Sequence, residues 1–274
     1  MLTLIDAVCL AGNVRCQNDD AFGLTFRRAF VIDGASDLDA PSVSGFGSDA
    51  SWLTRLGSSI LMAADGNGDT RDVVRDVARE AAAEWDRLTG DEQFPAWRHP
   101  SATLLILTEL GDGIEFLRLG DCTALMADWR GMRALRSDGK TGEVESARRS
   151  GAVAGDTLDL RSGPRRELLR RRRTESVTAS HVLGLRQECA AAADVHLMAL
   201  EPPAHVLLMT DGFSALVDVY RLYSDASILD AARDRGLSAL AEELRAYERA
   251  DSRGNSHPRW KTSDDATALL IRID

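Results

Sequence analysis

Residues 21–34, AFGLTFRRAFVIDG, carry the reading that decides the fold. They describe two strands joined by a tight turn near Arg27-Arg28, with Asp33-Gly34 breaking the second. The same grammar recurs along the chain. Leu2–Leu10 reads as a strand, and Ala102–Thr108, Ile114–Leu119 and Thr123–Asp128 read as a meander parted by Gly111-Asp112-Gly113 and Gly120-Asp121. His205–Thr210 is a buried strand running into Asp211-Gly212, and Ala266–Ile273 is entered through Asp264-Asp265. Between these runs lie amphipathic helices. Ser48–Ala64 and Thr70–Leu88 place apolar residues at helical spacing, with Asp69 or Thr70 as the cap of the second; Ser224–Arg235 and Ser238–Ala250 follow, separated by Gly236. Residues 251–263 read as a polar linker. No repeat or interdomain linker interrupts the chain, which predicts one α+β domain over residues 1–274.

The chain has 274 residues, long enough to bury a core without disulfide staples. Asp and Glu number 43 against 33 Lys and Arg, a formal net charge of -10. That argues against nonspecific nucleic-acid or anionic-membrane binding, which needs a basic face. Cys9, Cys16, Cys122 and Cys189 form no C-x-x-C pair and have no histidine at zinc-finger spacing. The start, Met1–Asp6, lacks a basic region, and no apolar run reaches a membrane span. The expectation is a cytoplasmic protein, monomeric, with no membrane or nucleic-acid partner.

The informative pattern is positional. Asp33, Asp121, Asp211 and Asp264 each stand at the end or start of an apolar strand, and Asp19-Asp20 precede another. Each Asp-Gly pair by itself is a turn signal. Together the acids can converge on one edge of a sheet. Several carboxylates without His or Cys select hard cations such as Mg²⁺ or Mn²⁺. Without a cation, such a cluster drives its own pKa values up.

Six segments in order carry a resemblance: Arg15-x-x-Asn18-Asp19-Asp20-Ala21-Phe22, Val31-Ile32-Asp33-Gly34, Ser101-Ala102-Thr103, Leu119-Gly120-Asp121, Leu207-Leu208-Met209-Thr210-Asp211-Gly212 and Asp264-Asp265-Ala266-Thr267. The chain resembles the PP2C-type (PPM) metal-dependent Ser/Thr protein phosphatases in their bacterial form. The resemblance implies a four-layer α-β-β-α sandwich, two antiparallel sheets flanked by helix pairs. It implies two Mg²⁺ or Mn²⁺ ions roughly 4 Å apart that share a hydroxide, which attacks phosphoserine or phosphothreonine. On this resemblance Asp33 bridges the ions and Gly34 contributes its carbonyl. Asp19 serves the second ion with Asp20 beside it, and Asp211 and Asp264 serve the first. Arg15 holds the substrate phosphate, and Asp121 belongs to a weaker third site. The implied partner is a phosphorylated protein, such as a target of a Ser/Thr kinase.

Three positions depart from the pattern. Ala35 stands where eukaryotic members carry a histidine acid, Ala215 replaces an acidic residue of the third site, and Cys122-Thr123 replaces a common Ser-Arg. The third ion is therefore left open. Two other enzyme readings stand beside the main one: a phosphohydrolase of a small metabolite and a SpoIIE-like dedicated regulator phosphatase. A non-catalytic phospho-binding adaptor with the same fold is the rival from another class.

Residues 137–175 read as an insert or variable flap, with a short helix at 165–173. Its run of arginines, Arg165-Arg166 and Arg170–Arg173, reads as a solvated face or as a recruitment surface for acidic partners. Among the histidines only His99 lies near a motif strand. Cys16, beside Arg15, reads as a buried thiol.

Overall fold

The run Ala29–Ile32 is apolar without alternation because its strand is covered on both faces. In the computed structural model, β3 (Arg28–Gly34) turns Phe30 and Ile32 toward a helix pair and Ala29 and Val31 toward a second sheet. The structure describes residues 1–39, 41–64, 68–111, 113–136, 163–257, 259 and 261–274.

One sheet has the order β2-β3-β4-β5-β8, with β2 at Ala21–Leu24, β4 at Ala102–Glu109, β5 at Ile114–Leu119 and β8 at Asp194–Met198. The other runs β1-β10-β9-β6-β7, with β1 at Leu2–Leu10, β6 at Thr123–Asp128, β7 at Gly131–Leu135, β9 at Ala204–Met209 and β10 at Ala266–Ile273. Every pairing is antiparallel.

Three apolar layers hold the sandwich. α1 (Asp49–Ala63) and α2 (Thr70–Thr89) bury Trp52, Leu53, Val74, Val77 and Trp85 on the first sheet. Val31, Leu105, Phe116, Val206, Leu208 and Leu269 interdigitate between the sheets. Against the second sheet, a short helix at Asp211–Asp218 packs with helices Asp225–Arg235 and Leu237–Ala250. These three are α5, α6 and α7. α3 spans Gly163–Thr178 and α4 spans Cys189–Ala192. The caps follow the sequence: the Ser48, Asp69 and Ser224 side chains accept from the first turns of α1, α2 and α6.

The α-β-β-α architecture is the expected one, with several local corrections. β5 and β6 do not form a meander: β4 and β5 pair in one sheet, whereas β6 crosses to the other and pairs with β9 and β7. Asp211-Gly212 opens a helix rather than a turn. The helix expected at 165–173 extends over Gly163–Thr178, while the remainder of the expected insert, 137–162, lies outside the described residues. Within the expected linker, Arg259 is tied to Asp251 at 3.0 Å. Among the described residues, no helix is long and apolar enough to cross a membrane.

The register aligns the functional strand ends. Gly34 pairs Ala102, Asp33 pairs Thr103 and Leu104 pairs Leu119; in the other sheet Thr123 and Ala268 both pair Met209. The C-terminal ends of β3, β5 and β9 and the N-terminal ends of β6 and β10 thus share one end of the sandwich.

Leu105 is fully buried between the sheets. Leu105→Ala should lower unfolding free energy in urea by about 3 kcal/mol. A loss under about 1 kcal/mol would contradict this packing.

Candidate active site

The acids at that end come from both sheets, and they feel one another. Asp33 terminates β3, and its carboxyl is pushed well above its usual range, first by burial and then by Asp211, Asp20, Asp264 and Asp121. Asp121, in the β5–β6 crossing, is raised by burial, with Asp264 adding to the effect. Asp20 is buried and raised to about 7, with desolvation the leading cause and Asp265 and Asp264 adding repulsion; the neighbouring Thr267 and Thr210 hydroxyls offset part of it. Asp33 and Asp121 are half-buried, so this end of the sandwich keeps contact with solvent.

Hydroxyls and backbone amides hold the acids in place. Thr210 Oγ1 donates to Asp20 Oδ2 at 2.9 Å and accepts from the Thr267 amide at 2.9 Å, which stitches the β9 and β10 motifs together. Asp20 Oδ1 is buried and has no hydrogen-bond partner among the described residues. Asp19 is turned another way. Its carboxylate accepts from Ser36 Oγ at 2.9 Å and from Ser48 Oγ, the residue that also caps α1. Burial raises Asp19, and these two hydroxyls pull it back. Asp265 accepts from the Asp19 amide at 2.6 Å and from the Gly12 amide at 2.7 Å. Lys261 donates to Asp264 Oδ1 at 2.5 Å and to Ser36 Oγ at 3.0 Å.

Two glycines permit these approaches. A Cβ on Gly34 would lie 2.4 Å from the Asp19 carbonyl oxygen, and one on Gly212 would lie 1.9 Å from the Asp265 carbonyl oxygen. Gly120 turns the chain at φ +85, and a Cβ there would strike Thr103, the register partner of Asp33.

The structure therefore gathers Asp20, Asp33, Asp121, Asp211 and Asp264 into one electrostatic neighbourhood and sets Asp19 beside it. Arg15 is exposed on the loop before β2, and its amide donates to Asn13 Oδ1 at 3.0 Å. Among the described residues no three Asp, Glu, His or Cys side chains close into a ready-made ion cage. The donor set is nonetheless all hard oxygen, and Asp20 Oδ1 is a buried acceptor awaiting a positive partner. Both features fit Mg²⁺ or Mn²⁺.

Other expectations are redirected. His99 stacks edge-on against Trp85, with ring centroids 6.3 Å apart, so it belongs to an aromatic cluster on α2. Cys16 is exposed, not buried. Asp265, Ser36, Ser48, Thr210 and Lys261 are the supporting residues that sequence reasoning missed. Asp265, adjacent to Asp264, and Thr210, adjacent to Asp211, stood within quoted motifs, whereas Ser36, Ser48 and Lys261 carried no local signal for the site.

The sequence matches the model of the Protein phosphatase 2C family over residues 13–247. The chain belongs to that family. No curated protein matches it. Among solved structures, it is similar to the serine/threonine phosphatase PstP/Ppp of Mycobacterium tuberculosis (17% identity, 100% of this chain and 99% of that one, TM-score 0.60). It is similar also to the PstP catalytic domain in complex with two manganese ions (17%, 100% of each chain, TM-score 0.58). A third likeness is to the PPM phosphatase MsPP of Mycobacterium smegmatis (19%, 99% and 100%, TM-score 0.56). At these identities the likeness is one of fold.

A carboxyl that titrates near 7 when folded and near 3.8 ordinarily favours the protonated folded state. Its contribution to stability is full below pH ~4 and is lost as pH rises through about 7. The metal-free chain should melt at a higher temperature at pH 5.5 than at pH 8, and Asp20→Asn should flatten that dependence in calorimetry. Gly212→Ala, which drives a Cβ into the β10 entry, should cost about 2 kcal/mol or more in the same measurement.

Proposed function

We propose that the chain is a phosphoprotein phosphatase that hydrolyses phosphoserine and phosphothreonine with the help of Mg²⁺ or Mn²⁺. One observation carries this reading: carboxylates from both sheets of a Protein phosphatase 2C chain meet at one end, with a buried Asp20 oxygen left unpaired. The two manganese ions of the PstP catalytic domain support the choice of cation. Bound divalent ions polarise phosphoryl oxygens and lower the pKa of water into the neutral range.

The residues divide the work. Asp33 would be shared between ions, with Asp211 and Asp264 on one side and the Gly34 carbonyl, Asp19 and Asp20 on the other. Asp121 would serve a third position, where Ala215 supplies no acid. Arg15, exposed on the loop before β2, would grip the phosphate, since its planar fork offers two parallel N–H donors to two phosphoryl oxygens. Ala35 cannot protonate the leaving alkoxide, so that proton would come from water or another group. Residues 1–274 would act as one catalytic domain with a variable flap near 137–175. We place it in the cytoplasm as a monomer opposing a Ser/Thr kinase, and the acidic net charge agrees with a partner that is protein and not nucleic acid.

Hydrolysis of p-nitrophenyl phosphate should require Mn²⁺ or Mg²⁺ and vanish with EDTA. Asp33→Asn and Asp211→Asn should each lower kcat by roughly 10²-fold or more. Arg15→Ala should raise KM by about tenfold, the loss expected for a charged hydrogen bond. Undiminished turnover in EDTA would reject the proposal, and phosphopeptide against metabolite panels would identify the substrate class.

A further inference from the structure

The arginine run of α3 does not face solvent as a block. Asp39, six residues beyond Asp33, is surrounded by Arg98 at 3.6 Å, Arg170 at 3.4 Å and Arg166. Arg170 also stacks on the Trp97 ring, 4.0 Å from its centroid. One turn further, Arg173 Nη2 donates to the Ser36 carbonyl at 2.9 Å. Of the run's described side chains, Arg171 is the one turned outward, paired with Glu175 at 2.9 Å.

Ser36 is the junction. Its carbonyl faces α3, while its hydroxyl donates to Asp19 at 2.9 Å and accepts from Lys261, which in turn holds Asp264. A continuous path of charge-assisted hydrogen bonds therefore runs from α3 to two of the acids at that end of the sandwich. Asp37 pins the same loop from the other side, accepting from the Asp49 amide at the start of α1 at 2.8 Å.

We propose that Arg166, Arg170 and Arg173 are positioning residues: by clamping the Ser36–Asp39 segment, α3 fixes the orientation of Asp19 and Lys261 and so tunes divalent-cation affinity. This rests on the metal-dependent reading above. Partners behind the ligands commonly set ligand orientation, and their removal weakens metal binding by roughly 10- to 100-fold. A recruitment surface would need these guanidinium groups facing outward, whereas most are engaged with the chain itself.

The test is Mn²⁺ binding to the full chain, read without turnover from the electron paramagnetic resonance signal of free Mn²⁺. Arg173→Ala and the pair Arg166→Ala/Arg170→Ala should each weaken affinity roughly tenfold. Arg173→Lys should recover part of that loss. Ser36→Ala should reproduce it, and the double variant Ser36→Ala/Arg173→Ala should be no worse than the worse single one, because both cut the same path. If Arg173→Ala does not fold, Arg173→Gln replaces it. Turnover of p-nitrophenyl phosphate and of a phosphopeptide should fall in parallel at fixed Mn²⁺. Unchanged affinity in the arginine variants, additive losses, or a defect confined to the phosphopeptide overturns the proposal while leaving the phosphatase reading intact. A wild-type chain that takes up no Mn²⁺ overturns both.

Discussion

Mutual repulsion among partly buried carboxylates is the constraint around which this molecule is arranged. Taking one carboxylate out of water costs several kcal/mol. A charged hydrogen bond returns about 1.5–3 kcal/mol. Thr210 donates such a bond to Asp20 and the Thr267 hydroxyl adds to it, yet Asp20 Oδ1 has no hydrogen-bond partner among the described residues. Hydroxyls therefore cannot settle the balance, and either a proton or a cation must. Burial and the neighbouring acids push the Asp20 carboxyl up to about 7, so near neutral pH a proton is one of these two solutions. The fold keeps the acids together despite the repulsion because each is fixed at the end of a strand whose register is set by packed layers on both faces. Separating Asp33 from Asp211 would mean sliding one sheet over the other through the interface formed by Val31, Leu105, Phe116 and Leu208.

The same layers explain what could be read in advance. Strands such as β3 and β9 announce themselves as short apolar runs, and α1 and α2 by helical spacing and caps. Their sheet membership is silent. A strand buried on both faces has no alternation to say which neighbour it takes, so Ile114–Leu119 and Thr123–Asp128 look like consecutive partners when they belong to different sheets. β7 and β8 lie at sheet edges and carry mixed residues, and α5 is hidden because Asp211-Gly212 imitates a turn. The acids at the strand ends were legible, since position along a strand fixes which end they occupy. The residues that hold them were not. Ser36, Ser48 and Lys261 are ordinary polar residues in loops, and only the third dimension brings them to Asp19 and Asp264.

The arginine run shows the same limit from the opposite side. A one-dimensional reading treats a cluster of like charges as a solvated face or a docking patch. In three dimensions its spacing along α3 puts Arg166, Arg170 and Arg173 on one helical face, over a loop that carries Asp39 and the Ser36 carbonyl. A short helix was expected there despite little periodicity, but the acid that answers its arginines lies more than a hundred residues earlier.

Among the described residues, positive charge around these acids is largely directed inward. Lys261 answers Asp264, and the guanidinium groups of α3 answer Asp39 and Ser36, all within a chain of net charge -10. Arg15, exposed on the loop before β2, is the cation proposed to meet the incoming phosphate. Beside it in the chain Val14 is 95% exposed, and Phe46 on a second loop is half exposed. The two loops approach each other where Gly47 meets Gln17. Recognition on this face would combine one bidentate charge with apolar contacts on either side of it. Long-range attraction of an anionic substrate by such a chain is weak. Selectivity must then arise from short-range fit around the phosphorylated residue rather than from the field of the whole protein.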